Sequence, residues 1–326
     1  MSATAAAPER GLSLLVIIPC LNESATATRV VQGGRQIPGV TDIRVLVMDD
    51  GSSDSTTEDA RSAGAAVSSN ATTQGLGLTF REAVGVAVAR EVDLVVHIDG
   101  DGQFDPSDIP TLVAPLVNGT AHMVTASRFL EERLMPKMPM VKRLGNRGVS
   151  RIVQILTGHR FRDVSCGFRV FSREALLRIS LFGTVTYTQE CFLHLIFKNL
   201  AIVEIPVKVR GTREFGSSRV APSLFRYGTR SLQIMLRAFI SYSPFALLFA
   251  LTCVFLLLGL GFLSSLAVHY VRTSAFSPHI WAGFVGGSFV FLAMSTFVSG
   301  LLGDILVRIL LNQRHILYRM ERSPGD

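Results

Sequence analysis

Three acidic clusters stand out in this 326-residue chain as groups able to do chemistry: Pro19-Cys20-Leu21-Asn22-Glu23, Asp49-Asp50-Gly51-Ser52-Ser53-Asp54 and Asp99-Gly100-Asp101-Gly102-Gln103-Phe104-Asp105-Pro106. Carboxylates gathered at one edge repel one another, so they take up protons or hold a cation between them. Asp99 and Asp101, two residues apart on an extended segment, are expected to point the same way and share a hard cation through oxygen. The glycines between them let a phosphate oxygen approach the backbone. Magnesium or manganese is implied, with a diphosphate completing its shell. A lone D-x-D is weak evidence; three acidic ends in chain order are much stronger.

Each cluster follows a short run rich in Val, Ile and Leu, at residues 14–18, 45–48 and 94–98. Such runs read as buried parallel strands. Helical stretches lie between them at 23–35, 55–63 and 78–90, with Asn22 or Ser24, Ser53 and Thr79 as N-caps. This alternation predicts an α/β fold, a doubly wound, mostly parallel sheet whose ligands lie beyond the carboxyl ends of the strands. His97, inside an apolar run, reads as a core residue rather than a base. Arg169 and Arg173 read as solvated surface, and Asp163 as structural. Glu190 is left between a helix partner and a functional group.

Charge divides the chain. Residues 1–127 carry 7 basic and 15 acidic side chains, whereas residues 128–230 carry 19 basic and 7 acidic. The first part suits a metal and the second suits anions, either phosphates or an anionic bilayer. Only 17% of residues are charged and the mean hydropathy is +0.38, which excludes disorder and argues against a wholly soluble protein. The four cysteines lie too far apart in sequence for a zinc motif or a disulfide framework, as fits a reducing, cytoplasm-facing location. Residues 1–10 lack the apolar stretch of a signal peptide.

Residues 238–271 and 273–303 contain no Asp, Glu, Lys or Arg, and only Arg272 separates them. Their apolar parts, 244–268 and 280–302, each suffice for the roughly 20 residues that cross a bilayer. Arginines before the first and after the second place both termini on the cytoplasmic side. Gly283, Gly286, Gly287 and Gly300 offer close helix approach without establishing a homo-oligomer, which stays open. Residues 221–241, with Leu224, Phe225, Leu232 and Phe239 among Arg226, Arg230 and Arg237, read as an amphipathic interface helix. The expected organisation is a disordered 1–11, a catalytic domain at 12–220, the interface helix at 221–241, a two-helix membrane region at 242–307 and a juxtamembrane tail at 308–326.

The order Pro-x-x-Asn-Glu, Asp-Asp-Gly-Ser-x-Asp, Asp-x-Asp-Gly-Gln resembles the inverting family-2 glycosyltransferases of the GT-A, Rossmann-like fold. Asp163-Val164-Ser165-Cys166-Gly167-Phe168-Arg169, Tyr187-Thr188-Gln189-Glu190, Glu204-Ile205-Pro206-Val207, Arg213-Glu214-Phe215-Gly216-Ser217-Ser218-Arg219 and the 300–308 segment look like the branch of dolichol-phosphate mannose synthase and bacterial polyprenyl-phosphate glycosyltransferases. The resemblance implies that Pro19, Asn22, Glu23, Asp50 and Asp99 bind the nucleotide sugar. Asp99, Asp101 and Gln103 would hold the metal, and Arg128 with Lys142 or Arg143 the acceptor phosphate. Arg213 and Arg219, with Asp101 and Arg128, would serve catalysis. Members often carry Ala where Gly100 stands, a change expected to matter little.

The implied reaction moves a sugar from a nucleotide diphosphate sugar, of the GDP-mannose or UDP-glucose type, to a polyprenyl phosphate at the cytoplasmic face of the membrane. An acceptor phosphate is already anionic near neutral pH, so no general base is required. Rival readings are a processive polysaccharide-building family-2 enzyme, which would carry more spans and a Q-x-x-R-W motif, a non-catalytic nucleotide-sugar-binding subunit, and a nucleotidyltransferase, whose Gly-rich, Lys-containing loop is missing from the N-terminal part. Nucleic acid is not an expected partner.

Overall fold

The computed structural model describes residues 11–179 other than 36, 38, 39 and 137, then 187–210, single helical positions between 233 and 240, and 244–322. Arg213, Arg219 and most of the expected interface helix at 221–241 lie outside the described residues. The chain forms two units, divided between Met235 and Leu236.

In the first unit, seven strands, β1 (Ser13–Cys20), β2 (Asp42–Asp49), β3 (Ala66–Ser69), β4 (Leu94–His97), β5 (Met123–Ser127), β6 (Arg169–Ser172) and β7 (Ile202–Pro206), form one sheet in the order β3-β2-β1-β4-β6-β5-β7. Strand β6 runs antiparallel to both β4 and β5, and every other pair is parallel. The sheet is therefore mostly parallel, with one reversed strand inside it. Residues 14–18 of β1 are all buried because helices cover both faces. On one face Leu14, Val16 and Ile18 join Val30 and Val31 of α1 (Ser24–Gly33) and Leu112 and Val113 of α4 (Ile109–Val117). On the other face, Phe80 of α3 (Leu76–Ala89) meets the Phe171 and Tyr187 rings, with centroids 5.7 and 3.7 Å away. Helix α2 (Thr56–Ser62) precedes β3, α5 (Met140–Thr157) follows β5, α6 (Arg173–Arg178) follows β6, and α7 (Thr188–Phe197) leads to β7.

Some local expectations are corrected. The helices start after Glu23, Ser55 and Gly75, none of which caps through its side chain, rather than after the Ser, Thr and Asn residues named from sequence. Arg169 is fully buried, not solvated. Its guanidinium donates to the carbonyls of Cys166, Thr188 and Val164 at 2.8, 2.6 and 3.0 Å and lies over the Phe192 ring at 4.9 Å. Carbonyl dipoles and an aromatic face thus replace the water that a buried cation would otherwise lose. Arg173 pairs with exposed Glu91.

The second unit consists of α8 (Pro244–Thr273) and α9 (Ile280–Arg322). Residues 244–273 and 280–310 are long and apolar enough to span a membrane, with only 11% of each most apolar window buried. Helices in a protein interior would be mostly covered, so this exposure fits lipid around them. Gly259 and Gly286 face each other across the seam, Gly300 meets Phe245 and Leu248, and the Thr252 and Thr296 hydroxyls lie 2.9 Å apart. Gly287 faces open space, so the expected close approach holds at Gly286 and Gly300 but not there.

Burial lowers the His97 pKa from 6.5 to about 3. The unfolded chain therefore takes up a proton that the folded chain refuses, and stability falls as pH drops from about 6.5 toward 3. Chemical denaturation of the purified protein at about pH 7 and 4 should show this loss, and His97→Asn should reduce it.

Candidate active site

The last residues of β1 organise the acidic rim. The Cys20 carbonyl accepts from the Asp50 amide at 2.9 Å, and the Pro19 carbonyl accepts from the Gly100 amide at 3.2 Å. Because β1 lies between β2 and β4, the Asp49-Asp50 and Asp99-Asp101 segments are held on either side of it. Helix α1 adds a third tie, the Thr26 hydroxyl donating to the Gly100 carbonyl at 2.5 Å. The chain turns at residues 100–101 instead of continuing extended through Asp101, with Gly102 at φ +70.

Carboxylates converge there. Burial raises the pKa of the Cys20 thiol, and Glu23, Asp49, Asp99 and Asp101 raise it further. Four negative groups thus act on one protonated thiol, which leaves oxygen as the available ligand type. Among the described residues no three His, Cys, Asp or Glu side chains form a metal cage by themselves. An oxygen-rich rim of excess negative charge, lacking a complete cage, fits a hard divalent cation that takes further oxygens from a bound diphosphate.

Each expected residue within the described part of the chain has a definite place. Asn22, at φ 53, accepts from the Ser53 amide at 2.8 Å and donates its own amide to the Ser52 hydroxyl, locking the β1 and β2 ends together. The buried Glu23 donates its amide to Thr56 at 2.9 Å. Asp50 is buried, and its two oxygens accept from the Gln74 and Gly75 amides at 2.8 and 2.9 Å. That brings the 70–75 loop and the start of α3 to the rim, a participation not read from sequence. Asp101 accepts from the Gln103 amide at 3.0 Å, while the Gln103 side-chain amide donates to the Arg210 carbonyl at 3.0 Å. Arg210 and Arg29 both act on Asp105, so the rim also carries cations. Arg210 belongs to the basic run that includes Arg213; nothing in the sequence of α1 singles out Arg29.

Gly100 is not neutral in this chain. A Cβ there would stand 2.4 Å from the Cys20 sulfur and 3.1 Å from the Pro19 carbonyl. At Gly167 a Cβ would lie 2.7 Å from Asp99 Oδ2, so the 163–167 loop presses its backbone against that carboxylate.

The same loop holds Arg128, at the end of β5. Asp163, fully buried, accepts from Arg128 Nε at 2.6 Å, from Nη2 at 2.9 Å and from the Arg128 backbone amide at 3.1 Å. Burial pulls the Arg128 pKa down, but the Asp163 charge and hydrogen bond outweigh it, and Asp99 adds to the rise. Arg128 is thus permanently cationic and within the field of Asp99. Behind it, Glu204 accepts from the amides of Arg162 and Asp163 at 2.9 and 2.8 Å. Glu190 is buried 3.6 Å from His194 on α7. Lys142 and Arg143 stand on the first turn of α5, with Arg143 exposed.

The model of the Glycosyl transferase family 2 domain matches residues 15–179. A protein of Methanocaldococcus jannaschii, described as uncharacterized, is 30% identical over 209 residues, covering 63% of this chain and 84% of its own. A polyprenol monophosphomannose synthase of Mycolicibacterium smegmatis is 26% identical, over 65% of this chain and 82% of its own. Among solved structures, glucosyl-3-phosphoglycerate synthase from Mycobacterium tuberculosis, in complex with Mn2+, uridine-diphosphate-glucose and phosphoglyceric acid, superposes with a TM-score of 0.56 and 25% identity, over 70% of this chain and 80% of that one.

Two variants test this geometry. Gly100→Ala should lower stability by about 1–3 kcal/mol through overpacking, and adding Cys20→Ala should recover most of the loss in denaturation midpoints. Asp163→Asn should loosen the Arg128 fork; with the acceptor-phosphate role that the sequence resemblance implies for Arg128, that raises KM for a phosphate acceptor more than KM for the donor in steady-state assays.

Proposed function

Because this chain belongs to glycosyltransferase family 2, we propose that it carries out an inverting transfer of a sugar from a nucleotide diphosphate sugar to a polyprenyl phosphate at the cytoplasmic face of a membrane. The observation that carries the reading is the pairing of a carboxylate rim around Asp99 and Asp101 with a fixed guanidinium, Arg128, that Asp99 influences electrostatically. The M. smegmatis relative is named for a polyprenol product, and the two long apolar helices supply a route to lipid.

The chemistry follows from charge. Pro19, Asn22, Glu23 and Asp50 line the nucleotide side, where the β1 and β2 ends and the 70–75 loop meet. Asp99 and Asp101, with Gln103, hold the divalent cation. When bound, that cation offsets the charge of the departing diphosphate; the Mn2+ complex of the structural neighbour supports a divalent ion, and Mg2+ suits the same oxygens. Arg128, held by Asp163, receives the acceptor phosphate and keeps it aimed at the anomeric carbon. Lys142 or Arg143 is the second phosphate ligand, and the donor phosphates are assigned to Arg213 and Arg219, outside the described residues, by the resemblance alone. The acceptor oxygen is anionic before it attacks, so no side chain has to remove a proton. The cost of bringing two anions together is met by Arg128 on one side and the cation-holding turn on the other.

A donor screen tests this directly. Purified protein, Mn2+ or Mg2+, labelled GDP-mannose or UDP-glucose and a short polyprenyl phosphate should yield labelled lipid in the organic phase. Asp101→Ala and chelator should each lower the yield by about 10²–10³-fold or more. Label in water-soluble polymer would instead indicate a polysaccharide-building enzyme. Donor binding without turnover for every acceptor would indicate a binding subunit.

A further inference from the structure

A histidine at position 97 is costly for the core. It ends β4 in the run Leu94-Val95-Val96-His97, every residue of which is buried, where a leucine or phenylalanine would fill the space with no polar group to satisfy. A second polar group is buried beside it. Tyr187, the residue before α7, has no solvent exposure, and it opens the Tyr187-Thr188-Gln189-Glu190 motif to which the sugar-transfer reading gives no task. Phe80 stacks on the Tyr187 ring with centroids 3.7 Å apart and meets the His97 ring edge-on at 5.2 Å. Two polar tips are thus enclosed by an aromatic wall.

Both tips meet one backbone carbonyl. His97 Nδ1 lies 2.9 Å from the Gly167 oxygen, the Tyr187 hydroxyl donates to that oxygen at 3.3 Å, and the hydroxyl stands 2.8 Å from Nδ1. With its proton on Nδ1, His97 donates to the carbonyl as well, and the two donors match the oxygen's two lone pairs. The backbone held in this way is the one that touches Asp99. Antiparallel pairing sets His97 opposite Arg169, so two residues further along Asp99 comes opposite Gly167. The approach is close: a Cβ at Gly167 would stand 2.7 Å from Asp99 Oδ2 and 3.0 Å from Oδ1. Burial raises the Tyr187 pKa, Arg169 opposes the rise and Asp99 adds to it, so the field of that carboxylate reaches the hydroxyl.

We infer that His97 and Tyr187 are positioning residues for Asp99: by holding the Gly167 carbonyl together they fix the backbone against which the Asp99 carboxylate rests, and with it the direction in which that carboxylate presents its oxygens. The inference rests on the reading that Asp99 shares in holding a divalent ion beside a diphosphate, and it adds to that site two residues that act on it through Gly167. A carboxylate held in one orientation binds a hard cation more tightly than one free to turn, and partners behind the ligands are typically worth about 10–100-fold in metal affinity.

Calorimetric titration of Mn2+ into the whole chain, with UDP or GDP present, tests this without reliance on turnover. Tyr187→Phe removes the hydroxyl and keeps the ring stack, and it should raise the Mn2+ Kd about tenfold. His97→Leu should raise it by about 10–100-fold, and His97→Asn, whose side-chain amide can supply the missing donor, should restore most of the loss. Leu112→Ala, in the core on the other face of the sheet, is the control for destabilisation alone: it should lower the denaturation midpoint and leave the Mn2+ Kd as it is. An unchanged Kd in both Tyr187→Phe and His97→Leu, an equal rise in Leu112→Ala, or no recovery in His97→Asn would overturn the inference and leave the metal-site reading standing. Loss of diphosphate-dependent Mn2+ binding in the wild-type chain itself would overturn both.

Discussion

The constraint on which the rest depends is the end of β1. Two backbone carbonyls in sequence, Pro19 and Cys20, receive amides from opposite neighbours, Gly100 and Asp50. Hydrogen bonds of a buried sheet are not optional, since an unpaired amide in the interior is costly. The fold therefore cannot form without drawing the two Asp-rich turns together. The electrostatic cost appears at Cys20, whose thiol is kept protonated by burial and then by four carboxylates. A divalent ion at this rim, as proposed above, would relieve that crowding, with a diphosphate completing the oxygen shell. Binding the donor and stabilising the acidic rim are, in this view, one event.

The side that carries Arg128 is built with opposite logic. Arg128 is held by a carboxylate with no solvent exposure, and the loop carrying that carboxylate is held in turn by Glu204. A guanidinium fixed in this way loses little conformational freedom on meeting an anion. The 163–167 loop also bears on Asp99 through Gly167. One short segment thus sets the relation between Arg128 and the turn that follows Asp99, and its small residue is required by contact. Arg169, buried three residues beyond Cys166, anchors the same segment through the Val164 and Cys166 carbonyls.

Much of this was legible in the sequence because the signals are local. The Val, Ile and Leu runs of β1, β2 and β4 are buried on both faces, so they read as continuous apolar segments, and the acidic turns follow them directly. The two apolar helices declare themselves by length. What was not legible depends on partners far away in the chain. Strand β3 is four residues, AVSS, mostly exposed at a sheet edge, and has almost no apolar pattern to read. Arg169 reads as surface until the carbonyls of residues 164, 166 and 188 are assembled around it. Gly100 reads as an interchangeable small residue until Cys20 is placed beside it. The first turn of α3 starts at Gly75 because Asp50 captures the Gln74 and Gly75 amides, a long-range contact that no capping pattern announces. Helix α5 is not among the elements read from the sequence, and its inward side is set by Asn146 and Ser150, which donate to the distant Arg162 carbonyl.

The proposed site has Asp99 and Asp101, whose turn β1 draws toward Asp50, holding a divalent ion only in company with the diphosphate of a nucleotide sugar. Electron paramagnetic resonance of Mn2+ titrated into the purified chain, with and without nucleoside diphosphate, measures this most directly. The account predicts tight Mn2+ binding that requires the diphosphate and disappears in Asp101→Asn. Equal Mn2+ binding by the wild-type and Asp101→Asn proteins, or no binding by either with diphosphate present, would contradict it.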